Sequence, residues 1–263
     1  MNASAPRAAK KAIPIGLELW TVRTDLNRDL KGTVTAVAKL GYQTVEFYST
    51  YLDWTLAFAK DIRALLDDLD IACRTTHNGL RAFTPDALQK TVELNQILGS
   101  TCLILASVPP VADMDGWKTV AEKFTAIADR LRPFNMSAGL HNHQKEWTPI
   151  DGVRPIDLVA TKTPNDFVLQ VDVGACVEAG ADPVAFIHAN PGRIRSLHCK
   201  DWSRALGFNI AFGEGDCPWP EVFEAAETTG GVESYLIEQA HCTPDQEFDM
   251  ARRGLGNFRR LRG

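Results

Sequence analysis

Several features that mark common protein classes are missing from this sequence of 263 residues. It has no run of about 18 apolar residues, which excludes a typical transmembrane helix. Its 28 basic residues are outnumbered by 33 acidic ones, and the net charge of −5 argues against a nucleic-acid-binding surface. Residues 1–12 carry basic side chains without an apolar core, so we expect a short disordered arm rather than a secretory signal.

Cysteine is present, but not in a pattern that indicates a function. None of the six cysteines forms a C-x-x-C pair, and several lie in apolar runs such as the one around Cys102. This argues against a disulfide framework and against a structural zinc site. We therefore expect buried free thiols and a reducing, cytoplasmic location.

What the sequence does contain is a repeated alternation of two patterns. Short apolar runs predict strands, and amphipathic segments with a period near 3.6 predict helices. The predicted strands span 13–22, 44–48, 71–77, 101–107, 137–143, 167–174, 194–200 and 234–239. The predicted helices span 30–40, 54–69, 86–98, 116–131, 155–161, a segment that opens at 182, 219–228 and 245–261.

This alternation predicts the fold class. Alternating strand–helix units imply a parallel sheet covered by helices, and eight units in about 250 residues match a closed (β/α)₈ barrel of the α/β class. A doubly wound open sheet is the alternative, but it usually carries a glycine fingerprint after the first strand, which residues 19–23 lack. Since no linker or low-complexity tract interrupts the pattern, we predict a single catalytic domain at 13–263.

Nearly every predicted strand ends in an ionisable residue. In a (β/α)₈ barrel the carboxyl ends of the strands carry the active site. Asp172, His198 and Glu238 end three separate apolar strands, and burying such groups is costly unless they are paired or bind a metal. The remaining candidates at this edge are Glu18, Glu46, His77, His141, His143, Glu146 and Lys200.

The residue types indicate which metal such a site would take. Carboxylates mixed with imidazoles suit a divalent ion of intermediate hardness, such as Mn²⁺, Mg²⁺ or Co²⁺. The absence of thiolates disfavours structural zinc. An ion with an open coordination position would polarise a substrate oxygen.

Six short motifs give the chain a resemblance to a known superfamily. They are IGLELWTVR at 15–23, LHNHQKEW at 140–147, VDVG at 171–174, LHCKD at 197–201, GEG at 213–215 and IE at 237–238. Over 13–263 the chain resembles the xylose-isomerase-like TIM-barrel superfamily of sugar isomerases and epimerases. The resemblance implies a carbohydrate substrate and one divalent metal ion, with Mn²⁺ expected and Mg²⁺, Co²⁺ or Zn²⁺ as alternatives.

The resemblance also implies a set of metal ligands. Similar proteins bind the ion through Glu, Asp, His and Glu from strands five to eight. At the matching positions of the last three strands, this sequence has Asp172, His198 and Glu238. The ligand from strand five stays open, because residues 140–143 contain no glutamate. Glu146 is the preferred ligand, and His141 or His143 is the alternative.

The implied reaction is isomerisation or epimerisation of a ketose or keto-sugar through an enediolate. Glu238 and either Glu146 or His143 are expected to remove and return the proton, and Lys200 to stabilise the developing oxyanion. The expected sugar-binding residues are Glu18, Glu46, His77, His141, Trp20 and Trp147. A place in the apolar core is the alternative for both tryptophans.

Three other functions are compatible with parts of this pattern. The same site could end in elimination, as in an inosose dehydratase or a lyase acting on 3-keto-glycosides. A DNA-repair enzyme of the endonuclease IV type would need more histidines than the six present. A non-catalytic sugar-binding barrel would need the carboxylates to be structural. Because no basic cluster follows strands seven and eight, we expect an unphosphorylated substrate, and a homo-oligomer is compatible with such barrels.

Overall fold

The computed structural model describes residues 13–262, so the arm expected at 1–12 lies outside the described residues. Eight strands occur in this range, all close to their predicted positions. They are β1 (Ile15–Glu18), β2 (Thr44–Glu46), β3 (Thr75–Asn78), β4 (Cys102–Leu105), β5 (Ser137–His141), β6 (Val168–Asp172), β7 (Ser196–Cys199) and β8 (Ser234–Ile237).

Helices occupy every connection between successive strands. They are α1 (Arg23–Arg28), α2 (Leu30–Leu40), α3 (Leu56–Asp68), α4 (Pro85–Leu98), α5 (Met114–Leu131), α6 (Gln144–Trp147), α7 (Pro155–Lys162), α8 (Val173–Glu178), α9 (Pro183–Ala189), α10 (Trp219–Ala225) and, after β8, α11 (Glu247–Arg262). Among these helices, none has the length and apolarity needed to cross a membrane.

The eight strands form one parallel sheet in the order β2-β1-β8-β7-β6-β5-β4-β3. Strand β1 pairs with both β2 and β8, so the first and last strands are neighbours, as in a closed barrel and unlike a doubly wound sheet. Between β2 and β3 the sheet is joined only by the isolated parallel bridges Thr44–Ala72 and Phe47–Thr76. The fold is therefore the predicted (β/α)₈ barrel, closed by one weak seam.

Local signals explain where the helices begin and end. Asp29 caps α2 by accepting a hydrogen bond from Gly32 N at 3.0 Å, and the helix ends at Gly41, whose φ of 100° suits glycine. Gly99 ends α4 in the same left-handed conformation. These ends agree with the predicted helices at 30–40 and 86–98.

All eight strands are shorter than their apolar patterns predicted, and two of them give way to a helical turn within the predicted range. Residues 19–22 form a 3₁₀ turn instead of continuing β1, and α8 follows β6 directly. In both places the last carboxylate of the strand caps the next turn: Glu18 Oε2 accepts from Trp20 N, and Asp172 Oδ1 accepts from Ala175 N, each at 2.9 Å. The carboxylates that predicted a site therefore also end their strands.

The buried apolar residues form two separate clusters. The main apolar core lies between the sheet and the helices, while Cys102, Ile104 and Val168 form a separate small apolar cluster. Five of the six cysteines are buried and all six are free, as expected from their sequence contexts. Above this small cluster the buried side chains become ionisable.

Candidate functional site

The carboxyl ends of the strands bring eight of the predicted site residues together. Each of them is at most 8% exposed, although all are ionisable. Because neighbouring parallel strands are in register, Glu18 lies beside Glu46, and Asp172 beside His198. The eight are Glu18, Glu46, His77, His141, Asp172, His198, Lys200 and Glu238.

His198 lies at the centre of this cluster and contacts a carboxylate with each ring nitrogen. Its Nδ1 is 2.8 Å from Glu238 Oε2, and its Nε2 is 2.8 Å from Glu46 Oε2. A ring held by two carboxylates donates from both nitrogens and is therefore an imidazolium. Burial opposes this charge, but Glu46 and Glu238 outweigh it and raise the pKa of His198 to about 10.

Lys200 supplies the second positive charge. Its Nζ donates to Glu238 Oε1 at 2.9 Å and is 3.5 Å from Asp172 Oδ2. Burial raises the pKa of Glu238, yet Lys200 and His198 outweigh it and hold that pKa well below its usual range. Burial also raises the pKa of Asp172, to about 6, and here Lys200 compensates only in part.

His141 faces the two carboxylates that Lys200 contacts. Its Nε2 is 3.8 Å from both Asp172 Oδ2 and Glu238 Oε2, too far for a hydrogen bond. Burial, together with the nearby His198 and His77, lowers the pKa of His141 well below its usual range, so its ring is neutral. A neutral imidazole facing two carboxylates is a suitable ligand set for a divalent ion.

A second group of ligand atoms lies across the barrel from this one. Glu18, Glu46 and His77 each offer an atom within 4.8 Å of the others. Burial and the charges of Glu238 and Glu46 raise the pKa of Glu18 well above its usual range. His77 and His198 outweigh burial at Glu46 and lower its pKa to about 2. The two glutamates therefore differ, because the pKa of Glu18 is raised and that of Glu46 is lowered.

Gln170 belongs to the second group and was missed by the sequence reasoning. Its Nε2 donates to Glu46 Oε1 at 3.0 Å and to Ser196 Oγ at 2.9 Å, and its Oε1 is 2.7 Å from His77 Nε2. The signal was available, because residues two apart on a strand share a face. Gln170 precedes Asp172 by two residues and so also points into the barrel.

Glu146 and Trp147 lie apart from the cluster, on the short helix α6. Glu146 Oε2 accepts from His143 N at 2.8 Å, while its Oε1 is 3.8 Å from Lys145 Nζ. Among the described residues, no hydrogen bond or ion pair joins Glu146 to Asp172, His198 or Glu238. Trp147 is buried against Phe186, with ring centroids 4.8 Å apart, which is the core alternative.

His143 and Trp20 border the cluster. The His143 ring is 4.9 Å from that of His141, and its Nδ1 is buried without a hydrogen-bond partner. Burial lowers the pKa of His143 to about 4, which leaves a neutral ring. Trp20 is 44% exposed and packs edge-on against Tyr48.

The cluster fits a divalent metal ion on three counts. Asp172 Oδ2, which faces His141 Nε2 at 3.8 Å, is buried but has no hydrogen-bond partner. His141, Asp172 and Glu238 offer ligand atoms within 4.8 Å of one another, and so do the three imidazoles of His77, His141 and His198. Carboxylate oxygens together with the neutral nitrogen of His141 suit Mn²⁺-like ions, and His198 would join them after losing its extra proton.

Comparison with known proteins agrees with this architecture. Residues 34–261 match the family described as xylose isomerase-like TIM barrel. The rhizopine catabolism protein MocC of Rhizobium meliloti is 25% identical over 164 residues, which cover 55% of this chain and 50% of that protein. The chain thus matches only half the length of this curated relative.

Solved structures superpose over almost the whole chain. A sugar phosphate isomerase/epimerase from Parabacteroides distasonis has a TM-score of 0.77 at 20% identity, covering 95% of this chain and 97% of its own. The probable 3-DHS dehydratase AsbF of Bacillus anthracis has a TM-score of 0.70 at 14% identity, covering 94% and 99%. At these identities the similarity shows the fold.

Proposed function

Because the chain belongs to the xylose isomerase-like TIM barrel family, we propose that it is a divalent-metal-dependent sugar isomerase or epimerase. The substrate would be a ketose or keto-sugar that reacts through an enediolate. The observation that carries this proposal is the cluster of His141, Asp172 and Glu238, which has unpartnered buried atoms at the barrel mouth. The similarity to a sugar phosphate isomerase/epimerase supports the reaction class.

Asp172, Glu238 and His141 would hold the metal. His198, the fourth ligand implied by the family resemblance, is an imidazolium in the metal-free protein and would have to lose a proton to bind the ion. The proposed ion is Mn²⁺, with Mg²⁺, Co²⁺ and Zn²⁺ as alternatives. When bound, it would supply Lewis-acid polarisation of a substrate carbonyl and its neighbouring hydroxyl. The sequence analysis preferred Glu146 as the ligand from β5, and that stays a prediction. Because Glu146 lies on α6, apart from the cluster, we favour His141.

The chain's own residues supply the proton transfers in this proposal. His143 is neutral and has a free Nδ1, so it can accept a proton from the carbon next to the carbonyl. In an isomerisation, His143 would give this proton back to the neighbouring carbon. In an epimerisation, Glu238 would deliver a proton to the opposite face, and it would first have to take one up because Lys200 and His198 hold it ionised. Lys200 places an ammonium group beside Asp172 and Glu238, where it would stabilise negative charge on a substrate oxygen.

The opposite side of the cluster would bind sugar hydroxyls. The raised pKa of Glu18 favours its protonated form, which would donate a hydrogen bond, whereas the lowered pKa of Glu46 favours the ionised form, which only accepts. His77 lies between them, 3.2 Å from Glu46 and 4.0 Å from Glu18. This mixture of donors and acceptors suits the vicinal hydroxyls of a sugar, and Trp20 would cover one edge of the opening.

The proposal can be tested by measuring metal content in two matched variants. Each replaces an aspartate that caps a helix. Asp172 and Asp182 each cap a helix through a side-chain oxygen, and asparagine preserves such a cap. After Mn²⁺ loading, wild type and Asp182→Asn should bind about one ion per chain by mass spectrometry. Asp172→Asn should lose it. Equal metal content in both variants, or none in wild type, would contradict the metal-dependent mechanism.

A dehydratase or lyase is the second candidate, because the AsbF structure shares the fold at similar coverage. Once an enediolate forms, a β-hydroxyl or β-alkoxyl group can leave. Incubation of keto-sugars in D₂O separates the reactions by mass spectrometry. Deuterium gain without loss of water supports isomerase chemistry, and loss of water or aglycone supports elimination. Sugar binding without either change would leave a non-catalytic binding barrel.

A further inference from the structure

The exposed apolar side chains of this protein are concentrated at one end of the barrel. Among the described residues, five large apolar side chains are more than a third exposed. All five lie between the carboxyl end of a strand and the first turn of a following helix, on the side of the candidate site. They are Trp20, Leu56, Leu80, Val153 and Leu206. Single exposed apolar side chains are ordinary, but the loop of Leu206 also carries Phe208 beside the cluster.

Leu206 is the most exposed of the five, at 60%, and it lies on a braced loop. Ser203 and Gly207 exchange two backbone hydrogen bonds, of 2.9 and 2.7 Å, which close a tight turn around it. Asp216 Oδ2 accepts from Arg204 N at 2.7 Å and ties this turn to the rest of the loop. These three hydrogen bonds fix the backbone on both sides of Leu206 and so fix the exposed position of its side chain.

Asp201 holds the base of the same loop. Its buried carboxylate accepts hydrogen bonds from Gly213 N at 2.8 Å, Gly215 N at 3.1 Å and Trp219 Nε1 at 2.9 Å. Three donors on one carboxylate leave the loop little freedom. The cost of ordering this surface is therefore met on folding and not on ligand binding.

Phe208 connects the exposed side chains to the ionisable cluster. Its ring stacks on His241 at 5.1 Å and lies 5.2 Å from Lys200 Nζ. Gln239 fixes it from below by donating to the Phe208 carbonyl at 2.7 Å. A β-carbon at position 174 would lie 3.0 Å from the Phe208 ring, so Gly174 leaves the space that the ring uses.

We propose that Leu206 and Phe208, here named the apolar rim, bind an aromatic aglycone of a glycoside whose sugar ring lies in the ionisable cluster. This inference rests on the proposed keto-sugar function and narrows its substrate class. The rim passes into the cluster through Phe208, beside Lys200. A single ligand that covers both must therefore be polar at one end and apolar at the other. A free sugar has no group to place against Leu206 and Phe208.

Paired substrates test the rim. Methyl and phenyl 3-keto-β-D-glucopyranoside differ only in the aglycone, and kcat/KM for deuterium exchange can be measured for each with Mn²⁺-loaded protein. Burial of the phenyl ring should favour the phenyl substrate about tenfold. Leu206→Ser and Phe208→Ala should bring the ratio of the two values close to one. Leu56→Ser, an equivalent substitution at the start of α3, should keep the tenfold ratio.

Each remaining outcome has one meaning. Equal values for the two substrates in wild type would overturn the rim proposal and leave the keto-sugar function intact. Exchange with neither substrate would contradict the function itself, and the rim proposal with it. Light scattering completes the test: if Leu206→Ser turned an oligomer into monomers, the rim would be an interface between copies of this chain, and the aglycone proposal would be wrong.

Discussion

The two ends of the barrel treat buried charge in opposite ways. At the amino-terminal end, just before β7, Arg193 is 6% exposed, and its guanidinium donates to Phe167 O, Ala160 O and Thr163 Oγ1. At the carboxyl-terminal end, Asp172 is fully buried with one oxygen lacking a hydrogen-bond partner. The hydrogen bonds of the Arg193 guanidinium are made within the fold, whereas one oxygen of the Asp172 carboxylate has no hydrogen bond.

Unpartnered atoms repeat this contrast over the described chain. Eight buried side-chain atoms lack a hydrogen-bond partner, and only those of Thr44 and Arg63 lie toward the amino-terminal end. The other six lie at or just beyond the carboxyl ends of strands. Four of them are in or beside the cluster, in Glu18, His141, His143 and Asp172, and two are on α6, in Glu146 and Trp147. Unmet hydrogen-bonding capacity costs stability, so its concentration at one end indicates where a ligand would complete it.

The largest expected effect separates the two candidate ligands from β5. His141→Asn removes the ring nitrogen that faces Asp172 and Glu238, so affinity for Mn²⁺ should fall about a hundredfold. Glu146→Gln keeps the side-chain shape on α6 and should change the affinity less than threefold. Calorimetric titration of metal-free protein measures both, and thermal unfolding checks that each variant folds. The reverse order would restore Glu146 as the ligand.

A charge at the amino-terminal end should affect stability but not the site. Arg193→Met leaves three acceptors without their donor, and we expect the free energy of unfolding to fall by about 2 kcal/mol. Metal content should stay that of wild type. Asp172→Asn is the opposite case, since it removes an incompletely compensated charge and should not lower stability. Urea unfolding compares the two, and equal losses would erase the contrast between the ends.

The buried imidazolium predicts a pH dependence of stability. Because Glu46 and Glu238 raise the pKa of folded His198 to about 10, from about 6.5 unfolded, its contribution is complete below pH 6.5 and is lost as pH rises toward 10. Between pH 6.5 and 8 the unfolding free energy of metal-free protein should fall by up to about 1.4 kcal/mol per pH unit. Glu46→Gln should flatten this slope, and an unchanged slope would contradict the assignment.

The smallest expected effect concerns a buried atom without a hydrogen-bond partner at the amino-terminal end of the barrel. Thr44 Oγ1 is buried without a hydrogen bond, so Thr44→Val should raise the free energy of unfolding by up to about 1 kcal/mol. Thr76→Val is the matched control, because Thr76 Oγ1 donates a hydrogen bond to Asn95 Oδ1 at 2.8 Å. Loss of this bond should lower the free energy of unfolding. If both substitutions destabilised, Thr44 would have a partner after all.

The fold was predictable from sequence because it depends on periodicity. The helices predicted at 30–40 and 155–161 match α2 and α7 to within a residue, since amphipathic spacing and caps are local properties. The predictions erred where an apolar strand pattern continues into a turn, as at 19–22 and in α8. There the deciding interaction is a carboxylate cap, which a count of apolar residues does not register.

The site was predictable only where side chains lie on strands. Alternation along a strand places Asp172 and His198 in the barrel, and the structure brings them together. Beyond β5 the alternation ends, and the short helix α6 sets the direction of Glu146 and Trp147. Phe208 and His241 escaped prediction because their contact joins two loops that are far apart in sequence.

The seam between β2 and β3 has a consequence for the motion of the molecule. Only isolated bridges join these strands, so the backbone amides of Val45 and His77, which bond across the seam, should exchange with solvent before those of the other ladders. Glu46 and His77 stand on either side of it, 3.2 Å apart. Each local opening of the β2–β3 pairing would separate Glu46 from His77. The rate of this opening therefore sets how often this side of the cluster is disrupted.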